Sequence, residues 1–112
     1  MSYGKLVRDN IPNLIRSNGE EPIIRTLSSD EYEIELNKKL LEECQEVIDS
    51  DDQHIIEELA DVLEVLISLG KLSGKSLTDI ITVCENKRLL RGSFDQMIYL
   101  ERVISKEDHT KK

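Results

Sequence analysis

Apolar residues recur at intervals of three and four along most of the chain, which is the spacing that places side chains on one face of an α-helix. The segment from Ser28 to about Asp49 carries such a face, formed by Tyr32, Leu36, Leu40, Cys44 and Val47. The next segment, ending around Gly74, carries a second face, formed by Ile55, Leu59, Val62, Leu63 and Leu66. The pattern predicts two long amphipathic helices.

Polar residues mark the expected starts of both long helices. Ser28-Ser-Asp-Glu31 has the spacing of a capping box, in which a serine and a residue three positions later each bond the other's backbone N–H. Ser50-Asp-Asp-Gln53 repeats that spacing before the second helix. The connection between the helices is short, and we therefore expect them to pack antiparallel.

Two shorter helices complete the predicted set. One is expected to run to about Ser17, with Asp9 or Asn10 as its N-cap and Pro12 in its first turn. The other is expected from Ser76 to about Leu90. The four segments predict an all-α fold in the form of an antiparallel helical bundle.

Two further segments, residues 22–27 and 97–104, have the composition of short strands, and a small two-stranded β pairing beside the bundle is compatible with them. No internal repeat or low-complexity linker divides the chain, which predicts a single domain over residues 1–112. Residues from about 106 to 112 are expected to form a charged tail of that domain.

The formal charge of −8 narrows the classes of partner. An acidic chain without a basic stripe repels a phosphate backbone, so we expect no nucleic acid partner. Cations are the ligands that this charge favours. The longest apolar run, residues 62–69, is broken by Glu64 and is too short to cross a bilayer, and the start of the chain lacks an apolar signal core. We therefore expect no membrane partner and a cytoplasmic location.

Acidic residues lie beside the apolar faces of both long helices. At about 100° per residue, Lys39, Glu43 and Glu46 share one sector of the first helix, and Glu43 borders its apolar face. On the second helix Glu58 and Asp61 are three residues apart, and Glu58 projects among apolar residues. Antiparallel packing would bring these four carboxylates to one groove, where hard divalent cations such as Mg²⁺ or Mn²⁺ would offset their repulsion.

The same residues have a simpler structural interpretation. Acidic helices often display carboxylates three residues apart to water, and Lys39 and Glu43 have the spacing of a surface ion pair. Periodicity does not decide between this interpretation and a metal site.

Written in full, the acidic pattern is Glu43-Cys-Gln-Glu46, eleven further residues, and Glu58-Leu-Ala-Asp61. It resembles the E-x-x-E and E-x-x-D signature of the MazG-like, all-α nucleoside triphosphate pyrophosphohydrolases. The residues Lys5–Pro12 (KLVRDNIP) near the start, and Lys87–Phe94 (KRLLRGSF) near the end, are similar to those of a small subgroup described as phosphoribosyl-ATP pyrophosphohydrolase-like. The resemblance extends over nearly the whole chain.

The resemblance implies a Mg²⁺-dependent enzyme that cleaves a nucleotide between its α and β phosphates, releasing a nucleoside monophosphate and pyrophosphate. Glu43, Glu46, Glu58 and Asp61 would hold the metal, with Mn²⁺ as an alternative ion. Glu46 or Glu43 would act catalytically, by orienting or deprotonating the attacking water. Cleansing of the nucleotide pool is the biological role that we expect.

Basic residues are the expected ligands of the substrate phosphates, and the sequence offers Lys39, Lys87, Arg91 and Arg8. Lys87 and Arg91 have an alternative role, because cations near the end of a helix complement its dipole. Arg8 has one as well, in an ion pair with a neighbouring acid.

The family commonly forms homodimers or homotetramers, and a short chain with several amphipathic helices agrees with such an assembly. Two alternatives to the expected function remain. The first is hydrolysis of phosphoribosyl-ATP. The second is a helical binding or regulatory module that has no turnover.

Overall fold

Four α-helices make up the regular structure of residues 4–105, the part of the chain that the computed structural model describes. The helices, in chain order, are α1 (Ile11–Ser17), α2 (Ser29–Asp49), α3 (Ile55–Leu72) and α4 (Leu77–Arg91). The all-α prediction is therefore confirmed. The predicted charged tail, residues 106–112, lies outside the described residues.

The start of α2 is fixed by the predicted capping box. The Ser28 side chain accepts a hydrogen bond from the Glu31 backbone N–H at 3.3 Å, and the Ser28 backbone N–H donates to Glu31 Oε1 at 3.1 Å. The start of α1 also agrees with the prediction, since Asn10 is its N-cap and Pro12 lies in its first turn.

The capping box predicted at Ser50–Gln53 is wrong. Ser50 instead ends α2 in an extended conformation, and the N-cap of α3 is His54, whose side chain makes no cap hydrogen bond. Asp51 Oδ1 accepts a hydrogen bond from the His54 backbone N–H at 3.0 Å, which closes a turn between the two helices. Because this acidic side chain supplies the acceptor, the chain forms a turn before α3 instead of a helical start at Ser50.

Helices α2 and α3 pack together as a helical hairpin, which contains the buried core. Leu36 on α2 and Val65 on α3 are buried, and Leu40 and Val62 are half-buried beside them. The apolar face predicted for α2 is thus confirmed. On α3, however, the predicted face lies only partly in this core, because the side chains of Leu59, Leu63 and Leu66 are exposed.

The predicted strands are wrong, since residues 22–27 and 97–104 have no strand structure. Their apolar side chains are largely exposed, with Ile23 at 98% and Met97 at 89%. A two-stranded pairing is marginal in water unless one of its faces is covered, and these segments have no covered apolar face.

The chain divides into two compact units, Met1–Ile80 and Ile81–Lys112. The first contains α1, the hairpin and the start of α4. The second contains the rest of α4 and irregular chain, and its described residues, 81–105, are all exposed. The single-domain organisation stays a prediction. No helix within residues 4–105 is long and apolar enough to span a membrane.

Candidate metal centre on the helical hairpin

Four carboxylates converge where α2 faces α3. Glu43 and Glu46 come from α2, and Glu58 and Asp61 come from α3. One oxygen atom of each lies within 4.8 Å of one oxygen of every other. The structure therefore brings together all four acids of the sequence pattern, because the spacing of three residues places each pair on the inner side of its helix.

Burial makes this cluster different from a solvated acidic face. Glu43 is only 8% exposed, and Glu58 is half-buried. The Oε2 atoms of Glu43 and Glu58 are buried and have no hydrogen-bond partner among the described residues. Buried carboxylate oxygens without a partner are costly, so these two atoms lack an interaction that a bound cation would supply.

Electrostatics at Glu43 agree with this interpretation. Burial is the main factor that raises the pKa of the Glu43 carboxyl, and the neighbouring Glu46 raises it further through a hydrogen bond and its negative charge. Lys39 opposes this shift, with its Nζ 3.4 Å from Glu43 Oε1. The same ammonium lies 3.8 Å from Glu42 Oε2, so its charge is shared between two acids.

A second cation reaches the cluster from the N-terminal segment. Arg8 Nη2 donates a hydrogen bond of 2.7 Å to Asp61 Oδ1, across 53 residues of sequence. In the described part of the chain, Lys39 and Arg8 are the cations that form ion pairs with the four acids. Two monovalent cations are fewer than the four carboxyl groups of the cluster.

The donor set fits a hard divalent cation. It consists of carboxylate oxygens alone, which is the chemistry that Mg²⁺ and Mn²⁺ prefer, and two of those oxygens are buried without partners. The alternative interpretation, in which the carboxylates simply face water, fits the exposed residue Glu46. It does not fit Glu43, which is buried, or Glu58, which is half-buried.

The basic residues selected from the sequence fall into two groups. Lys39 and Arg8 belong to the first unit and both contact acids of the cluster. Lys87 and Arg91 belong to the second unit and lie exposed near the C-terminal end of α4. A phosphate-binding role for any of the four stays a prediction.

The ion pair between Arg8 and Asp61 is the feature that sequence reasoning missed. Sequence reasoning allowed Arg8 an acidic neighbour, but neither helical periodicity nor local spacing links positions so far apart. The similarity of residues 5–12 to the subgroup motif was the one sequence feature that could have indicated a defined position for this segment in the fold.

The family model of the MazG nucleotide pyrophosphohydrolase domain matches residues 32–89, slightly more than half of the chain. The chain belongs to the MazG family. The matched segment includes all four acids of the cluster, so the carboxylates that converge in the hairpin are part of the MazG domain itself.

An uncharacterized protein of Mycolicibacterium smegmatis is 58% identical to the chain over 43 residues, which cover 38% of this chain and 44% of that protein. The chain thus spans less than half the length of this curated relative. No solved structure matches this MazG chain.

Proposed function

We propose that this MazG protein is a Mg²⁺-dependent nucleotide pyrophosphohydrolase that cleaves between the α and β phosphates of a nucleoside triphosphate. Membership of the family gives the general class of reaction. The observation that supports the metal-dependent chemistry is the convergence of four carboxylates within 4.8 Å, two of them with buried, unpartnered oxygens. Removal of surplus or non-standard nucleotides is the role we propose for the activity.

The proposed reaction adds water across the α–β anhydride, so that one product is a nucleoside monophosphate and the other is pyrophosphate. Glu43, Glu46, Glu58 and Asp61 would hold Mg²⁺, with Mn²⁺ as a substitute. When bound, the metal would supply positive charge to the phosphate oxygens and lower the pKa of water.

We assign the remaining roles in the reaction to two acidic and four basic side chains. Glu46 is exposed and interacts with buried Glu43. We propose that one of these two carboxylates orients an incoming water and accepts its proton. Lys39, Lys87, Arg91 and Arg8 are the proposed ligands of the substrate phosphates.

The test of this proposal combines a substrate panel with a matched pair of variants. Canonical and modified nucleoside triphosphates and phosphoribosyl-ATP are incubated with the protein and either Mg²⁺ or a chelator, and the phosphorus products are identified by ³¹P NMR. We expect pyrophosphate and a monophosphate to form only with the metal. Glu58→Gln removes a charged ligand from the buried edge of the cluster, and we expect it to weaken Mn²⁺ binding by about tenfold or more and activity by about 100-fold.

Glu57→Gln is the matched control, because it makes the same chemical change at an exposed neighbour on α3. We expect it to match the wild type in both measurements. Full activity in Glu58→Gln would disprove the site assignment. Turnover of phosphoribosyl-ATP alone would replace the proposed substrate class, and metal binding without turnover of any substrate would favour a binding module.

We also propose that the protein is a homodimer or homotetramer. Helix α3 carries an apolar stripe of Ile56, Leu59, Leu63 and Leu66, with successive spacings of three, four and three residues, and all four side chains are exposed in the single chain. This is the spacing of a seam between packed helices. A second copy of the chain, with the same stripe, is the partner whose apolar surface would cover it.

A further inference from the structure

Arg8 is the one basic residue of the N-terminal segment that contacts the acidic cluster in the described structure. Its guanidinium pairs with Asp61, whereas its backbone carbonyl accepts a hydrogen bond of 3.1 Å from the Ile11 N–H at the start of α1. This backbone hydrogen bond does not involve the Arg8 side chain, so loss of the pair with Asp61 does not require it to break.

The pairing with Asp61 is open to water. The side chains of Arg8 and Asp61 are 57% and 42% exposed. Exposed ion pairs contribute little to stability, because water solvates both charges well and the long arginine side chain loses freedom when it is held. Arg8 is therefore a weakly bound cation on a carboxylate that is also a proposed ligand of the metal.

A guanidinium and a divalent ion repel each other when they share one carboxylate. Metal binding would also neutralise the negative charge that holds Arg8 in place. The Arg8 guanidinium and a bound divalent ion would therefore compete for the Asp61 carboxylate. Lys39 differs, because its side chain is only 23% exposed and pairs with two acids.

We propose that Arg8 is an exchangeable counter-ion of the acidic cluster: it neutralises Asp61 while the metal is absent and is displaced from it when a divalent cation binds. The displaced guanidinium is then free to bind an anionic group such as a phosphate, so that metal binding prepares the site for its substrate. This inference rests on the proposed function, since it requires the cluster to bind a metal.

The first test measures Mn²⁺ affinity by isothermal titration calorimetry, without nucleotide and at low ionic strength. Because Arg8→Gln removes the competing cation, we expect it to bind Mn²⁺ about two- to fivefold more tightly than the wild type, with a smaller difference at high salt. The control is Arg16→Gln. Arg16 is exposed on α1 and bonds Asn13 at 3.0 Å, outside the cluster, so its removal should leave the affinity unchanged.

The second test follows the Arg8 guanidinium of the wild-type protein by ¹⁵N NMR during titration with Mg²⁺. We expect its resonance to move to the position that it has in Asp61→Asn, where the charged partner is absent. Arg8→Gln binding Mn²⁺ equally to or more weakly than the wild type would overturn the inference, and so would an Arg8 resonance that does not respond to Mg²⁺. If the wild type binds no divalent cation, both the proposed function and this inference fail. If the wild type binds the cation but Arg8 does not respond, only this inference fails.

Discussion

Glu43 is a buried acidic residue within the group of four carboxylates. It is buried beside Glu46, and the resulting rise in its pKa reflects an environment that disfavours its charge. A residue selected for packing alone would be neutral at this position. In the proposed site a bound metal ion would offset this cost, which is the trade-off between stability and activity that functional residues often show.

Glu43→Gln is therefore predicted to stabilise the metal-free protein while it weakens metal binding. The amide keeps the shape of the side chain and removes the buried charge, and Lys39 retains Glu42 as a partner. We expect the free energy of unfolding to rise by about 1 kcal/mol, or about 4 °C in melting temperature, as measured by thermal denaturation with chelator.

Glu42→Gln is the control for that measurement, because Glu42 is an exposed neighbour with a longer ion pair to the same lysine. Its melting temperature should stay within about 2 °C of the wild type. A melting temperature for Glu43→Gln below that of Glu42→Gln would show that the charge of Glu43 stabilises the fold even without metal.

The residues of the acidic cluster could be predicted from the sequence because both acid pairs lie within regular helices. Helical geometry relates Glu43 to Glu46 and Glu58 to Asp61, and a short connection relates the two pairs to each other. Arg8 precedes these helices in a segment without a regular period. Its contact with Asp61 depends on the path of the N-terminal chain, which no local pattern encodes.

At the scale of single elements, α2 has the most strongly specified start. Arg25 Nη2 lies 2.9 Å from Glu31 Oε2, and this ion pair supplements the capping box. The hydrogen bond from Arg25 is the largest cause that lowers the pKa of Glu31 to about 2, followed by hydrogen bonds from Ser28. The charged form of Glu31 thus stabilises the folded state above its ordinary pKa of 4.5, and this stabilisation is lost as the pH falls toward about 2.

Glu31→Gln is predicted to remove that pH dependence. The wild type should lose stability between pH 4.5 and about 2 partly through protonation of Glu31, and the variant should lose less over the same interval. Urea denaturation at a series of pH values gives the free energy of unfolding, and its slope against pH is compared between the variants. Glu33→Gln, at an exposed position on the same helix, should retain the wild-type slope. Equal slopes for the wild type and Glu31→Gln would contradict the assigned pKa.

The predictability of the elements follows the locality of their signals. The start of α2 was predictable because a serine and a glutamate three residues apart complete the cap by themselves. The same spacing at Ser50–Gln53 misled, because Asp51 uses its carboxylate to close a turn. The strand composition of residues 22–27 also misled, since pairing requires a covered apolar face that a local segment cannot supply.

At the scale of the whole molecule, the exposed apolar stripe on α3 departs from the core expected for this helix. Leu63 lies near its centre and is 42% exposed, although it has the helical spacing of a core position. Sequence periodicity identifies apolar faces but does not say which chain covers them. One face of α3 packs on α2, and the proposed homo-oligomer would bury the other.

Leu63→Glu is predicted to dissociate that assembly. A charge at the centre of a buried seam loses its solvation without gaining a partner, so association should weaken by about 100-fold or more. Sedimentation equilibrium at several protein concentrations measures the change in mass. Glu64→Gln, at the exposed position beside it, is the control and should retain the wild-type mass. A wild type that is monomeric at high concentration would contradict the proposal directly.

The four carboxylates all lie within residues 43–61, in one helix, one turn and the next helix. Their mutual contacts therefore have low sequence separation, and the entropy lost in closing so short a loop is small. The contact between Arg8 and Asp61 spans 53 residues and closes a much longer loop. During folding, the acidic cluster can consequently assemble with the hairpin, before the N-terminal segment arrives and supplies its arginine.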